Sequence, residues 1–117
     1  MRNFRTYHVW KDSIDLVTKV YNLTKHLPAE EMYSLTKQIK RSAISIPSNF
    51  AEGCSRESEK ELKHYVEVSL GSAFELETQL IIADNLFCIK ELDLYTEVLD
   101  LLNKIQAKLN AFRNRLK

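Results

Sequence analysis

The sequence predicts an all-α fold, an antiparallel up-and-down four-helix bundle, on three observations. Apolar residues recur at alternating steps of three and four along most of the chain, the rhythm of one helix face turning by about 100° per residue. Only two Gly and two Pro interrupt 117 residues, too few for the many turns of a strand-rich domain. Three short connections join the four periodic stretches, which makes sequential helices antiparallel neighbours. The whole chain, residues 1–117, reads as a single domain long enough to bury a core.

The first helix is expected from about Val9 to His26. Trp10, Ile14, Val17 and Tyr21 form one stripe, and Leu16, Val20, Leu23 and Leu27 form another beside it. Together they cover about half the circumference, more than contact with one neighbour needs. Pro28 suits the first turn of a second helix, with Glu30 and Glu31 placed where the helix dipole favours acids. Met32, Leu35, Ile39, Ala43, Ile46 and Phe50 form its apolar face. Pro47 removes a backbone donor and crowds the preceding turn, so a kink is expected there. Asn49 and Glu52 have capping-box spacing, which leaves open a break and restart. Gly53 reads as the C-terminal stop.

Ser58 and Glu61 form a capping box for the third helix. Its seam, Leu62, Val66, Ser69, Ala73, Leu76, Leu80, Ala83 and Phe87, holds a heptad rhythm throughout. The middle of the seam is small, and Gly71 beside it costs about 1 kcal/mol relative to alanine, which points to close helix packing. The fourth helix runs from about Asp93 on the stripe Val98, Leu102, Ile105, Leu109, Phe112 and Leu116. Ile44, Leu70, Phe74, Ile81, Leu99 and Leu101 lie off these seams, and such surplus apolar positions predict burial against other subunits.

Composition narrows the function classes. The longest apolar run is far below the ~20 residues that cross a bilayer, and the basic start Met1-Arg2-Asn3-Phe4-Arg5 is followed by no signal-peptide core. A cytoplasmic protein without membrane contact is expected. Cys54 and Cys88 are isolated and read as two buried small hydrophobes. The net charge of +1 conceals an acidic stretch, residues 57–85, with seven acidic and two basic groups. A polyanion should avoid that surface and prefer the others.

One run of residues is distinctive. It reads Glu31-x-Tyr33-x-Leu35-x-x-Gln38-x-x-Arg41-Ser42-x-x-Ser45-Ile46, then Asn49-x-Ala51-Glu52-Gly53. Arg56 follows, and then Gly71-Ser72-x-x-Glu75-x-Glu77-Thr78-Gln79-Leu80. This pattern resembles the bacterial four-helix-bundle proteins encoded within intervening sequences of 23S rRNA genes, and the resemblance extends from Trp10 to the last helix. Family members often carry isoleucine where Phe50 stands and Phe-Pro where Leu27-Pro28 stands, departures that alter core shape more than chemistry. The resemblance implies a homopentameric ring of bundles with no known enzymatic activity. It also implies kinship with the accessory proteins of diversity-generating retroelements, similar pentameric barrels that bind nucleic acid and a reverse transcriptase.

The candidate chemistry is correspondingly sparse. Lys37, Lys40 and Arg41 fall within about 100° of arc on the second helix, and Lys104, Lys108 and Arg115 within about 40° on the fourth. Arg113 and Lys117 add charge at the C-terminus, and Arg2 and Arg5 at the other end. Such cations can neutralise phosphates and release counterions. The plainer reading is a solvated helix face; the resemblance brings RNA or DNA binding level with it. No base-reading motif is visible, so contacts should be mostly to the backbone. Glu61 and His64 have the Glu-x-x-His spacing of di-iron bundles but lack the further inward glutamates, so neither a metal nor another cofactor is expected. Arg2 and His8 fit loosely the spacing of helical ribonucleases, yet sit at an end expected to fray, so no catalytic residue is assigned. The polar motif residues Gln38, Arg41, Asn49, Glu52, Glu75 and Glu77 are expected to satisfy one another, with Arg41 or Arg56 pairing with Glu52, Glu75 or Glu77. The resulting expectation is a non-enzymatic, self-assembling bundle that associates with RNA or other nucleic acid. The alternatives are a protein–protein adaptor and, remotely, a ribonuclease.

Overall fold

A computed structural model describes residues 2–117. Among the described residues there are four α-helices and no strand: α1 His8–Thr24, α2 Leu35–Cys54, α3 Glu59–Phe87 and α4 Asp93–Arg115. Single 3-10 turns occupy Phe4–Thr6 and Ala29–Glu31. Each helix packs along the ones before and after it, and α1 closes against α4, while the backbones of the diagonal pairs α1/α3 and α2/α4 stay apart. The topology is thus up-down-up-down. The molecule measures 43 × 24 × 20 Å, and α3, with 29 residues rising about 1.5 Å each, spans its long axis.

The core lies where the heptad steps put it. Leu62, Val66, Ser69, Ala73, Leu76, Leu80 and Ala83 of α3 are all buried, as are Val98, Leu102, Ile105 and Leu109 of α4. Burying each Leu or Ile contributes roughly 1.5–3 kcal/mol before entropy is counted. In α1 only one of the two stripes is core. Leu16, Val20, Leu23 and the following Leu27 are buried, whereas Ile14 and Tyr21 are exposed and Trp10 and Val17 half-covered.

The second helix departs from expectation at its start. Pro28 opens the 3-10 turn, and α2 begins only at Leu35, so Met32 and Tyr33 lie on a connector and are exposed, Tyr33 by 85%. The helix then runs through Pro47 without restarting. The Asn49 amide donates to the Ser45 carbonyl and hydroxyl, both at 2.8 Å, so it braces the helix from within and does not cap a new one. Ser58 does cap α3, its hydroxyl accepting from the Glu61 N–H at 3.1 Å.

The two glycines exchange roles. No glycine has a positive φ, so Gly53 is not a left-handed stop. A β-carbon there would lie 2.8 Å from Tyr65 Cβ and 3.2 Å from Leu62 Cδ1; glycine is required because α3 passes so close. A β-carbon at Gly71 would meet nothing within 4 Å, because that residue is exposed on the outer face of α3. The helices do approach closely, but at Ala43, Gly53, Ser69 and Ala73, all buried.

The cysteines also differ. Cys54 is buried, whereas Cys88 is exposed at the end of α3 with φ 54°. The N-terminal segment is not frayed: the Arg2 N–H donates to the Cys54 carbonyl at 3.2 Å and its guanidinium to the Arg56 carbonyl at 3.0 Å. Tyr7 then completes an edge-to-face triangle with Phe50 and Phe112, ring centroids 5.4–5.6 Å apart. Phe50 fills that end of the core and is fully buried.

Candidate functional site

The α2/α3 seam gathers most of the polar motif. Ser42 Oγ donates to Glu75 Oε1 at 2.9 Å, Ser45 and Ser72 share a 2.8 Å hydrogen bond, and Ser69 Oγ donates to the Ile46 carbonyl at 2.8 Å. Small side chains let these two helices approach, and the serines occupy the space with mutually satisfied groups. Glu77 is reached from the other side, accepting from Gln106 Nε2 of α4 at 2.8 Å. Arg56 pairs with Glu52 at 3.2 Å and Glu61 at 3.9 Å, and donates to the Tyr65 hydroxyl at 3.1 Å. The expected Arg56–Glu52 pair therefore forms. Arg41 pairs with neither Glu75 nor Glu77, and Gln38 and Arg41 face outward.

The cations divide into two groups that the fold keeps apart, because α2 and α4 stand diagonally across the bundle. On α4, Lys108 is held by Asp12 of α1, with Nζ 2.6 Å from Oδ2. Arg113 bonds to Asn110, and Arg115 lies over the Phe112 ring at 5.5 Å. Lys104, Arg115 and Lys117 of this group are exposed without a polar partner among the described residues. On α2, Lys40 lies over the Tyr21 ring at 4.6 Å, while Lys37 and Arg41 are exposed and make no ion pair among the described residues.

Lys37 and Arg41 form a ridge with a hollow on each side. Toward α1 lies a groove of about 660 Å³ that also takes in Tyr21, Met32, Tyr33, Lys40 and Ile44. Toward α3 lies a cavity of about 320 Å³, where Tyr33, Lys37 and Arg41 meet Gln38, Ser42, Glu75 and Gln79. The Ser34 hydroxyl bonds to Glu31 at 2.8 Å instead of capping α2, so the first turn of that helix is open beside the cavity. The buried Gln79 Oε1 has no hydrogen-bond partner. Tyr33 and Gln79 stood in the motif run without an assigned role. An aromatic residue four positions before a lysine, followed by another basic residue four later, was the available signal for Tyr33. Nothing local marked the orphaned oxygen of Gln79.

The other candidate centres stay dispersed. Among the described residues no three His, Cys, Asp or Glu side chains come together as a metal site. Arg2 is engaged at the Arg56 carbonyl, and His8 is exposed at the start of α1. Burial raises the Cys54 thiol above its ordinary pKa, partly opposed by the Arg2 charge, which keeps it protonated and unreactive. Among the described residues no helix is long and apolar enough to cross a membrane.

A family profile described as 23S rRNA-intervening sequence protein matches residues 5–111. No curated protein matches the chain.

Proposed function

From the premise that this chain belongs to the 23S rRNA-intervening sequence protein family, we propose that it is a non-enzymatic, self-assembling cytoplasmic protein that associates with RNA or other nucleic acid through the basic ridge of α2. One observation carries the reading: Lys37 and Arg41 make no ion pair among the described residues, neighbour Lys40, and stand among exposed tyrosines between two hollows. Unpaired cations can exchange condensed counterions for phosphate contacts, and exposed aromatic rings accept stacked bases. Of the α4 cations, Lys108 contributes less, since Asp12 already neutralises it.

Self-assembly is supported by two different apolar surfaces on one chain. The outer face of α3 exposes Val68, Phe74, Ile81, Ile82 and Leu86. A second hollow of about 360 Å³ between α1 and α2 is lined by Phe4, Trp10, Ile14, Val17, Ile44 and Pro47, among others. Unlike surfaces that pair heterologously form a ring when the rotation between copies closes and a filament when it does not, and the resemblance of the motif run to ring-forming bundles favours closure and supplies the count of five. A ring repeats the α2 ridge around its circumference and raises avidity without new contacts. The same apolar surfaces are what a protein–protein adaptor would offer to a different partner.

The deciding experiment measures binding of a structured ribosomal RNA fragment across a salt series, after the oligomeric mass has been determined by light scattering. Micromolar or tighter binding that weakens steeply with salt, and falls more than tenfold in Lys37→Glu/Arg41→Glu, is expected. Absence of binding at low salt would reject the nucleic-acid reading in favour of the adaptor. A monomeric mass would reject the ring.

A further inference from the structure

We propose that the outer face of α3 seats in the trough between α1 and α2 of the next copy of this chain, with Glu67 of one copy paired to Lys11 of the other. The inference rests on the self-assembly reading above and assigns its two surfaces and their register. The trough is continuous. The hollow beside Trp10, Ile14 and Val17 and the groove beside Tyr21 and Met32 share Ile44 and Ser48. One apolar channel therefore follows α1 from Trp10 to Tyr21, about 16 Å at 1.5 Å per residue. On α3, Phe74 is 52% exposed and Ile81, one heptad later, 46%, which makes a ridge of two knobs about 10 Å apart. Covering both surfaces at once removes apolar area from water.

Charge selects the occupant. Among the described residues no acidic side chain lines either hollow. Cations flank them instead: Arg5 over the Phe4 ring, Lys11 one turn before Ile14, and Lys40 over the Tyr21 ring. Such a trough favours an acidic helix and repels a basic one. The α3 helix lies in the acidic stretch of the chain. Its Glu67 is exposed one heptad before Phe74, on the same face, and makes no ion pair within the chain among the described residues. Lys11 is exposed and makes none either.

Heights along the bundle set the register. The Ser42–Glu75 and Ser45–Ser72 hydrogen bonds place Phe74 level with Ala43 and Ile44. Lys40 lies over the Tyr21 ring, and counting one turn away from that contact along each antiparallel helix places Val17 level with Ile44. Phe74 thus stands at the height of Val17 and Ile44, where the two hollows join. By the same count Glu67 stands at the height of Lys11. Rotation about an axis along the helices leaves heights unchanged. It brings Phe74 of one copy to Val17 and Ile44 of the next, and Glu67 to Lys11, with the incoming α3 running parallel to α1. No slide along the bundle is needed, which is the condition for a closed ring rather than a filament.

The test is made by light scattering and by the emission of Trp10, the only tryptophan, half-covered at the trough wall. In the wild-type protein that emission is expected to shift to the red on dilution, in step with the fall in mass. Ile14→Asp spoils the trough and Phe74→Asp the ridge, both at exposed positions, and each variant alone is expected to be a folded monomer. Mixed in equal amounts they are expected to form a dimer of one copy of each, twice the chain mass of 13.7 kDa and nothing larger, because each supplies the one surface the other lacks. Glu67→Lys and Lys11→Glu are each expected to weaken assembly about fivefold, and the double variant to recover it. Wild-type mass in Ile14→Asp, with loss in Phe74→Asp, would mean that α3 packs on α3 and would overturn the proposal while self-assembly stood. So would monomeric variants that do not pair when mixed, together with charge reversals that the double variant does not rescue. A monomeric wild-type protein would overturn the self-assembly reading as well. The nucleic-acid reading is tested separately, by the Lys37/Arg41 reversal.

Discussion

The two halves of the bundle are built by different means. Where α2 meets α3 the contact is the most intimate in the molecule, and it is made of Gly53, Ala43, Ala73 and hydrogen-bonded serines. Where α1 meets α4, long side chains bridge a wider gap, and Lys108–Asp12 at 2.6 Å and Lys19–Glu97 at 3.8 Å cross it. Close approach consumes the space between two helices and turns their charged residues outward. A wider gap lets charged residues fold across it and neutralise one another. Lys37 and Arg41 therefore stay available, while Lys108, with the same helical spacing in the sequence, does not.

That contrast can be broken at several points. The largest effect is expected from Phe50→Ala, which removes the fully buried corner of the aromatic triangle joining both halves and should cost about 3–5 kcal/mol in denaturant unfolding. Next comes the pair of glycines. Gly53→Leu forces a side chain into Tyr65 and Leu62 and should cost about 1–3 kcal/mol. Gly71→Ala, on an open helix surface, should raise helix stability by up to about 1 kcal/mol; a large loss there would mean that α3 has a close neighbour on its outer face. Lys108→Ala removes a half-exposed ion pair and should cost about 1 kcal/mol or less. It should leave nucleic-acid binding nearly unchanged, the opposite of the Lys37/Arg41 reversal.

The thiols give the smallest and simplest readout. One cysteine per chain, Cys88, should react rapidly with an alkylating reagent in the native state, and Cys54 only on unfolding. The raised Cys54 pKa has a definite sign. The unfolded thiol ionises near 9.0, before the folded one does, so its contribution to stability is full below that value and is lost as pH rises above it. Cys54→Ala should flatten that alkaline slope, followed by thermal melts in the pH range 8–11.

Much of the fold was legible in the amino-acid order. The α3 and α4 stripes, the Ser58 cap and the order of the helices follow from spacing alone, because a helix face is a local property of roughly seven consecutive residues. Which stripe of α1 is core was not legible, since Leu16 and Ile14 are equally apolar and only the positions of α2 and α4 distinguish them. Where α2 begins was also not legible, because Pro28 suits a 3-10 turn as well as a helical one.

The candidate site divides in the same way. The sequence by itself determined that Lys37, Lys40 and Arg41 share a helix face and that the motif run contains Glu75 and Gln79, because periodicity sets which residues of one helix are neighbours. Only the tertiary structure decided that Asp12 neutralises Lys108, that Gly53 rather than Gly71 is the close contact, and that the Gln79 side-chain oxygen is buried without a hydrogen-bond partner. Each depends on the distance between residues far apart in the chain, which the packing of whole helices sets and no local pattern encodes.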